Sequence, residues 1–428
     1  MDGRAASHTV TDKLEHLRAN GWDLYVLSAV TGELDKVLWH RQLLPWGAAG
    51  FRFDIRHWLA AKVGRGGKYR LLLGFISVPL LPFILLEKVL IGASSQWSWS
   101  LPAAVFGAYY ARRFDIQVIY SSGGAWSAHL AAWFVSKATP AKWIAEFHDP
   151  MVERYGGSDL VSSPASSREK SYKRSIEALV CREAHLVWWF TESARDFALK
   201  RHPAAAIKSF CVMPGAPSVA KRMPYVPTEK IRIGHFGSLS DSRSLTDFLL
   251  AFSRVKSRYT SNPFNVELHV YGAELDKKAR DVVKLERLEG NVVTHGRLEK
   301  GPSVETGRDM VVALMQQQDY LLLIHGNDES CKEYIPSKIY EYWSSQRPVI
   351  ALVHNNEELN RLTIDINGTD RLTAPSSGTG VDNAILFAIE NLRDYREFAS
   401  LKPPRTCQDA VTEICAQVQS KIICQVAP

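Results

Sequence analysis

The sequence predicts an α/β protein with two Rossmann-like domains, each built around a parallel sheet. At 428 residues, the chain exceeds the length that one hydrophobic core usually organises. Short apolar runs alternate with helical patterns, and a proline-rich stretch divides these runs into two series. The content of 46% hydrophobic and 23% charged residues is typical of globular proteins and excludes the disordered and fibrous classes.

Runs typical of buried strands occur in both halves of the chain. The first series comprises residues 22–29, 116–121, 142–147 and 186–191. The second series comprises residues 231–237, 266–272, 320–324 and 348–353. Helical patterns lie between them, for example at 126–136, 245–257 and 337–345. Short apolar strands that alternate with helices predict parallel sheets with helices on both faces.

The stretch 213–230 predicts a linker between the two series. It contains Pro214, Pro217, Pro224 and Pro227, and so many prolines cannot continue a helix or a central strand. We therefore expect an N-terminal domain at 1–212 and a C-terminal domain at 231–398. Residues 399–428 are expected to form a helix that returns to the N-terminal domain.

The net charge of +7 lies in the first half of the chain. Residues 1–205 hold 25 Lys/Arg against 18 Asp/Glu, whereas the remainder holds 27 of each. One basic cluster has Asp54 as its sole acid and consists of Arg52, Arg56, Lys62, Arg65, Lys68 and Arg70. Such a cluster favours an anionic partner, such as lipid headgroups, a polyanionic acceptor or nucleic acid, and it is equally typical of a solvated basic face.

An apolar segment at 69–92 follows the basic cluster directly. Sixteen residues, 71–86, carry no charge, but this run is shorter than the ~20 residues of a spanning helix and contains Pro79 and Pro82. We predict a buried helix or helix pair in the first domain, ahead of a membrane-surface element, with a transmembrane span last. The segment 151–168, rich in Ser, Gly and charge, predicts a surface loop.

The segment Glu333-Tyr-Ile-Pro-Ser-Lys-Ile-Tyr-Glu341 has the chemistry of a phosphate site. It follows a buried strand, and Pro336 suits the first turn of a helix because its missing N–H is not needed there. The free N–H groups of that turn and the helix dipole attract anions, and Lys338 adds a full positive charge. A carboxylate on either side can accept hydrogen bonds from sugar hydroxyls. Together these groups predict a site for a nucleotide sugar.

In this context the sequence resembles the retaining GT-B glycosyltransferases, especially family 4. Their hallmark is two glutamates separated by seven residues, and Glu333 and Glu341 match that spacing within a similar Ile-Pro-Ser-Lys string. The resemblance implies two Rossmann-like domains whose parallel sheets face a central cleft. It also implies that Glu333 contacts the donor sugar and that Glu341 holds the ribose. The intervening residues Ile335, Pro336, Ser337 and Lys338 would then bind the donor.

The opening of the second series, Ile231-Arg-Ile-Gly-His-Phe-Gly237-Ser-Leu, is similar to the start of that family's second domain. There a strand ends in a glycine turn whose backbone approaches the diphosphate. Ser238 stands where an arginine is common, which departs from the pattern. Arg243 matches the basic residue of a Gly-x-x-Tyr-x-x-Arg variant, although Ser240 replaces its tyrosine. The resemblance assigns Gly237 and Ser238 to donor binding and Arg243 to stabilisation of the leaving group.

In the first domain, the predicted strand 142–147 ends in Glu146-Phe and is followed directly by His148-Asp149-Pro. Family 4 enzymes often place a histidine near the donor sugar at this point, and His148 matches it. Some relatives carry Arg-Asp-Pro there instead, so Asp149 is a second candidate, as an orienting group or in acceptor handling. The turn Ser122-Gly-Gly resembles one that leaves room for substrate, whereas we predict that His129 packs in the core.

The family's reaction moves a sugar from a nucleoside diphosphate to an acceptor hydroxyl with retention of configuration. No Asp-x-Asp sequence occurs, which favours metal-independent stabilisation of the diphosphate, with no cofactor besides the donor substrate. The expected partners are a nucleoside-diphosphate sugar, a glycan or lipid-linked acceptor in cell-surface polysaccharide synthesis, and an anionic membrane surface. The alternatives are a nucleotide-sugar epimerase or a degenerate partner subunit. Nucleic acid is not expected as a partner, since no recognised motif occurs.

The N-terminal residues lack the apolar run of a signal peptide, and the six cysteines show no metal-ligand spacing. We therefore expect a cytoplasmic protein, peripheral at the inner face of the membrane. Family members usually begin with a strand and a glycine-rich loop. The start Met1-Asp-Gly-Arg resembles the inside of that loop, so the first strand is expected to be missing.

Overall fold

A computed structural model describes residues 5–30, 37–64, 66–93, 95–123, 126–152, 164–218, 223–240, 243–259, 264–272, 274–296, 307–327, 329–376, 378–392 and 403–423. The chain divides into two compact units. The first unit comprises Met1–Met213 together with Ala410–Pro428, and the second comprises Pro214–Asp409. Each unit contains parallel strands and helices, so the predicted α/β class is confirmed.

The described strands of the first unit form two parallel sheets. Strands β1 (Tyr25–Ala29) and β2 (Trp39–Leu43) pair with each other. A four-stranded sheet has the order β3 (Val118–Gly123), β4 (Lys142–Phe147), β5 (Leu186–Trp189) and β6 (Ser209–Cys211). The predicted run 22–29 therefore supplies β1, which pairs apart from the four-stranded sheet.

Helices surround the sheets of the first unit. They are α1 (Ala5–Ala19), α2 (Ala48–Val63), α3 (Gly67–Leu90), α4 (Ser100–Arg113), α5 (Trp126–Ala138), α6 (Pro164–Glu183) and α7 (Glu192–Arg201). One side of the sheet packs Trp143, Phe147 and Trp189 into a core with residues of α6. Helix α6 takes in the end of the predicted loop 151–168, while residues 153–163 lie outside the described residues.

Helix α3 is continuous, and most of its surface is exposed. It runs through Pro79 and Pro82, and the one buried residue among its 24 is Ser77. By length and composition it could cross a membrane. The prediction of a buried helix is therefore wrong. Hydropathy reports the tendency of a segment to leave water, whereas burial requires a neighbour, and α2 covers a single stripe of α3.

The second unit contains a parallel sheet of six described strands. They are β7 (Ile231–Phe236), β8 (Val266–Tyr271), β9 (Val292–Gly296), β10 (Tyr320–Ile324), β11 (Val349–Leu352) and β12 (Thr373–Ala374). Their spatial order is β12-β11-β10-β7-β8-β9. The chain therefore builds outward from β7 on one side and from β10 on the other.

Helices connect these strands and complete the core of the second unit. They are α8 (Thr246–Arg258), α9 (Lys277–Leu285), α10 (Gly307–Gln316), α11 (Lys338–Ser345), α12 (Glu357–Asn367) and α13 (Thr379–Glu390). A further helix, α14 (Cys407–Val418), belongs to the first unit from Ala410 onward. Its Ile414 and Val418 pack with Ile144 and Trp188 of the sheet.

The proline-rich stretch is attached to the second unit. The guanidinium of Arg347 lies 3.6 Å from the ring centroid of Tyr225, and the hydroxyl of Tyr225 donates to Asp319. The amide of Gln317 donates to the carbonyl of Pro224 at 2.7 Å. These contacts fix residues 223–227 against the sheet of that unit, where the sequence predicts a connecting segment.

An ion pair joins α8 to α13. Asp382 is 1% exposed and accepts from the guanidinium of Arg254, at 2.6 Å for the shortest contact. Replacing Arg254 by Met should lower the free energy of unfolding by about 1.5–3 kcal/mol, because it removes a charged donor from a buried carboxylate. Unfolding in increasing concentrations of guanidinium chloride measures this loss of stability. Arg280→Met, on the exposed surface of α9, is the matched control. Adding Asp382→Leu to Arg254→Met should restore part of the loss, and no recovery would contradict the explanation.

Candidate active site

The second sheet reverses its order between β7 and β10. These two strands share just the residue pairs Tyr320–Ile233 and Leu321–Gly234, so their carboxyl ends separate. The hydroxyl of Tyr342 on α11 accepts from the Phe236 N–H and donates to a carbonyl of β10, both at 3.1 Å. In open parallel sheets, the crevice beyond the carboxyl ends at such a reversal is where ligands bind.

The turn after β7 lies against the side chain of Lys338. Gly237 has φ +106°, and a Cβ at this position would lie 2.6 Å from Lys338 Cε. The Lys338 ammonium is 3.4 Å from the Ser238 carbonyl oxygen, to which it donates. This positive φ is the reason that glycine is favoured at the turn. The structure thus brings together the two segments that the sequence assigns to donor binding.

The charges around Lys338 are predominantly positive. Burial, and then the charge of Arg243, lower the pKa of Lys338 to about 8, while Glu341 opposes the shift. Burial and the charges of Lys338 and Arg243 also lower the pKa of His235 to about 3, so this imidazole is neutral. A bound anion would relieve the repulsion between the two cations. The arrangement is therefore suited to a phosphate group.

Helix α11 provides the remaining predicted donor-binding groups. The Ile339 N–H donates to the Pro336 carbonyl at 3.0 Å, but the helix begins at Lys338 with Ser337 as its N-cap, so Pro336 lies just before the first helical turn in which the sequence placed it. Ile335 and Pro336 are buried, and Ser337 is half-buried at the N-cap. The Tyr340 N–H likewise donates to the Ser337 carbonyl at 3.2 Å, whereas the N–H groups before those of Ile339 and Tyr340, at the N-terminal end, have no carbonyl of the helix to accept them. Glu341 lies 3.7 Å from Arg308 on α10 and is partly exposed.

Glu333 is 2% exposed and ends a short 3-10 helix, Glu329–Glu333. Two side chains that the sequence analysis did not identify hold this loop in place. Asn356 donates to the carbonyls of Cys331 and Tyr334, both at 3.0 Å, and accepts from the Leu359 N–H as the N-cap of α12. His325 Nε2 lies 3.2 Å from the Tyr334 carbonyl, and burial lowers the pKa of this imidazole to about 4.

Both residues stand at positions that have a local signal in the sequence. His325 directly follows the apolar run of β10, and Asn356 precedes two glutamates at the start of a helix, which is typical of an N-cap. Neither signal indicates the contact with the Glu333 loop, because that contact joins residues that lie apart in the chain. The loop is therefore positioned by tertiary hydrogen bonds.

In the first unit, His148 belongs to a buried polar network at the carboxyl end of β4. His148 Nε2 lies 2.6 Å from Glu146 Oε1 and 2.8 Å from Ser122 Oγ. The other carboxylate oxygen of Glu146 pairs with the ammonium of Lys13 on α1 and accepts from Trp188 Nε1 at 2.9 Å. Glu146 is 0% exposed and Lys13 is 2% exposed.

The charge of Glu146 is maintained by its partners. Burial by itself would raise the pKa of this carboxyl, but the Lys13 charge and the hydrogen bonds from His148 and Lys13 hold it well below its usual range. An ionised Glu146 requires a proton on His148 Nε2, which leaves Nδ1 as the other edge of the ring. The imidazole also stacks on Phe190 with a centroid distance of 4.6 Å. Its orientation is therefore fixed on several sides.

The other first-unit predictions have different outcomes. Asp149 is exposed beside His148. His129 is fully buried, and burial together with the charge of His148 lowers its pKa to about 3, so the prediction of a packing role is confirmed. Gly124, in the predicted substrate turn, lies outside the described residues, whereas Ser122 and Gly123 end β3.

No protein-family model and no curated protein sequence matches the chain. Solved structures, however, do align with the chain. The chain aligns with alpha,alpha-trehalose 6-phosphate synthase from Burkholderia multivorans over 78% of each chain, at 12% identity and a TM-score of 0.50. For an alpha,alpha-trehalose-phosphate synthase (UDP-forming) from Burkholderia vietnamiensis, the coverage is 76% of this chain and 78% of that chain, again at 12% identity and a TM-score of 0.50.

A third similar structure is S. aureus TarM, with 15% identity and a TM-score of 0.40. The alignment covers 68% of this chain and spans 57% of the TarM chain. Identities this low establish a shared fold and not a shared activity. Two units with parallel sheets, together with the two synthase alignments at a TM-score of 0.50, show that the chain has the GT-B fold, as its sequence implied.

Proposed function

We propose that this protein transfers a sugar from a nucleoside-diphosphate donor to an acceptor hydroxyl. The observation that carries the proposal is the contact of Lys338 with the Gly237 turn at the sheet reversal, beside Arg243. This cationic group is suited to a diphosphate. Glu333 and Glu341 lie on either side of it in the chain, where carboxylates can accept hydrogen bonds from the hydroxyls of the donor sugar and of the ribose.

The roles within the donor site follow from these positions. The side chains of Lys338 and Arg243, and the N–H groups of Ser337 and Lys338 at the N-terminal end of α11, neutralise the charge that develops on the leaving diphosphate. This stabilisation requires no metal ion, and we propose transfer with retention of configuration. Glu333 binds the donor sugar, and the loop around Ile335 and Ser337 closes on the phosphates.

We propose that the first unit handles the acceptor and the reacting sugar. His148 and Asp149 are the groups that carry this role, with Glu146 as a positioning residue for the imidazole. The acceptor that we propose is a glycan or a lipid-linked sugar of cell-surface polysaccharide synthesis, used at the inner face of a membrane. The basic excess of the first half of the chain supports an anionic surface as partner.

Thermal-shift measurements with a panel of nucleoside diphosphates test the donor site. The preferred nucleotide should raise the melting temperature of the wild type, because a ligand that binds only the folded state stabilises it. Lys338→Met should abolish the shift, whereas Lys278→Met, on exposed α9, should retain it. Equal shifts in both variants would contradict the proposal. Epimerisation of the donor sugar without acceptor would favour an epimerase instead.

Nucleotide affinity should also depend on pH. The pKa of Lys338 is lowered to about 8, so its charge is present below pH 8 and is lost as the pH rises through that value. The Kd of the preferred nucleoside diphosphate should therefore increase above pH 8, by up to about tenfold per pH unit, which corresponds to one coupled proton. Calorimetric titrations across this range measure the change. Lys338→Arg should remove the dependence, since arginine keeps its charge.

A further inference from the structure

Helix α3 presents apolar side chains around most of its circumference. Phe75 is 81% exposed and Leu71 is 74% exposed. Further exposed apolar residues follow along the same helix, at Val78, Leu81, Phe83, Leu85, Leu86, Val89 and Leu90. Surfaces of soluble monomers rarely carry such a large contiguous apolar patch, and a patch of this kind marks a site of interaction with a protein or a membrane.

In the α2–α3 hairpin, residues 48–90, the acidic side chains point inward and several of the basic side chains are exposed. The hairpin holds seven Lys/Arg residues and two acids. Both acids are turned inward, because Asp54 is 5% exposed and Glu87 accepts from Trp97 Nε1 at 2.6 Å and from the Ala49 N–H at 3.1 Å. Exposed cations lie near both ends of α3, at Lys62, Lys68, Arg70 and Lys88. The outer surface of the hairpin is therefore apolar along its length and cationic at its ends.

We propose that the α2–α3 hairpin docks on an anionic lipid bilayer, with α3 embedded in the plane of the interface. The apolar side chains enter the boundary between headgroups and acyl chains, and the terminal cations contact anionic headgroups. This inference identifies the part of the chain that contacts the membrane named in the proposed function. It rests on that proposed function for the biological purpose of docking. The docking itself needs neither donor nor acceptor.

Contacts at the middle of α3 favour this orientation over a span. A helix of 24 residues is about 36 Å long, which is sufficient to cross a bilayer core of about 30 Å. However, Arg52 Nε donates to Ser77 Oγ at 2.9 Å, near the midpoint of the helix. In a spanning orientation this cation would lie at the centre of the bilayer, where a charge is very costly. With α3 in the interface plane, α2 and Arg52 remain on the aqueous side.

The same charges disfavour a second copy of this chain as the occupant. Because cations lie at both ends of α3, parallel and antiparallel pairing of two such helices would each bring like charges together. An anionic lipid bilayer instead has acyl chains that can contact the apolar side chains of α3 and negatively charged headgroups that can contact the cations at its ends. The lipid bilayer is therefore the partner that fits both features of the surface.

Flotation of the full-length protein with phosphatidylcholine vesicles, with and without phosphatidylserine, tests the proposal. The wild type should float with the anionic vesicles, and less so at high salt because charge contributes to binding. The double variant Phe75→Asp with Leu86→Asp should reduce the bound fraction by about tenfold or more. The matched control is Ile207→Asp, which changes an apolar residue that is 87% exposed elsewhere in the first unit.

A second pair of variants separates the charge contribution. Lys68→Gln with Arg70→Gln should weaken binding to anionic vesicles, whereas Lys200→Gln on α7 should not. The proposal is overturned if the wild type does not float, if the double aspartate variant floats equally well, or if that variant instead abolishes a dimer. Nucleotide binding by the same variants, measured without lipid, reports separately on the proposed sugar transfer. If the wild type binds no nucleotide, the proposed sugar transfer is refuted, while the result on lipid binding is unaffected.

Discussion

Replacing Lys338 by Met should lower kcat/KM for sugar transfer by about 10²- to 10³-fold, the usual effect of removing one preorganised group that stabilises a developing charge. The Lys338 ammonium lies against the Gly237 turn and donates to the Ser238 carbonyl, so it has a fixed position before any donor binds. The loss should be larger in kcat than in KM, because the diphosphate carries more charge in the transition state than in the bound donor.

The measurement is the rate of nucleoside-diphosphate release from the donor that the wild type binds best, with a glycolipid-containing membrane fraction as acceptor. Lys278→Met, an exposed lysine of the same unit, is the matched control and should retain the wild-type rate. Lys338→Arg should keep part of the activity because it keeps the charge. A Lys338→Met variant with undiminished kcat would disprove the assignment of this side chain to the leaving group.

Replacing Lys13 by Met should destabilise the first unit by about 3–5 kcal/mol, the usual result of removing one partner from a buried ion pair. Glu146 would remain fully buried, with the hydrogen bonds of Trp188, Ser122 and His148 but without a permanent positive charge. The pKa of Glu146 would rise as a result, and the carboxyl would take up a proton more readily on folding. The loss should therefore shrink as the pH falls and grow as the pH rises.

Chemical denaturation at several pH values measures this effect. Lys137→Met provides the matched control, since Lys137 is 57% exposed in its pair with Glu183 and should cost less than about 1 kcal/mol. Adding Glu146→Gln to Lys13→Met should recover much of the stability, because it removes the buried charge. If the single variant loses little stability at every pH, then the ion pair does not hold α1 to the sheet.

Several elements could be predicted closely from the sequence. Strands β4 and β10 have the predicted bounds, because short apolar runs between polar residues are specific for buried parallel strands. Helix α11 was predicted at 337–345 from its apolar periodic pattern and begins one residue later, at Lys338, with Pro336 before its N-cap. In each case the signal is local, and neighbouring residues suffice to produce it.

The prediction for α3 failed because its outcome depends on a neighbour. The sequence 71–86 is apolar in any environment, and composition alone cannot distinguish a core helix from one that faces a membrane or a partner. Contact with α2 along one stripe and inward hydrogen bonds of Glu87 leave the rest of the helix exposed. The roles of Asn356 and His325 in holding the Glu333 loop were missed for a similar reason, because they too depend on distant contacts.

By itself the sequence determined the alternation of strands and helices, the glycine after β7 and the chemistry of the segment around Lys338. Such features follow from backbone preference and side-chain type, which each residue carries wherever the chain folds. Only the tertiary structure decided that Lys338 meets Ser238, 100 residues earlier, and that Lys13 meets Glu146, 133 residues later. Contacts over these separations depend on the order of strands in a sheet and on the packing of helices against it, which no local pattern encodes.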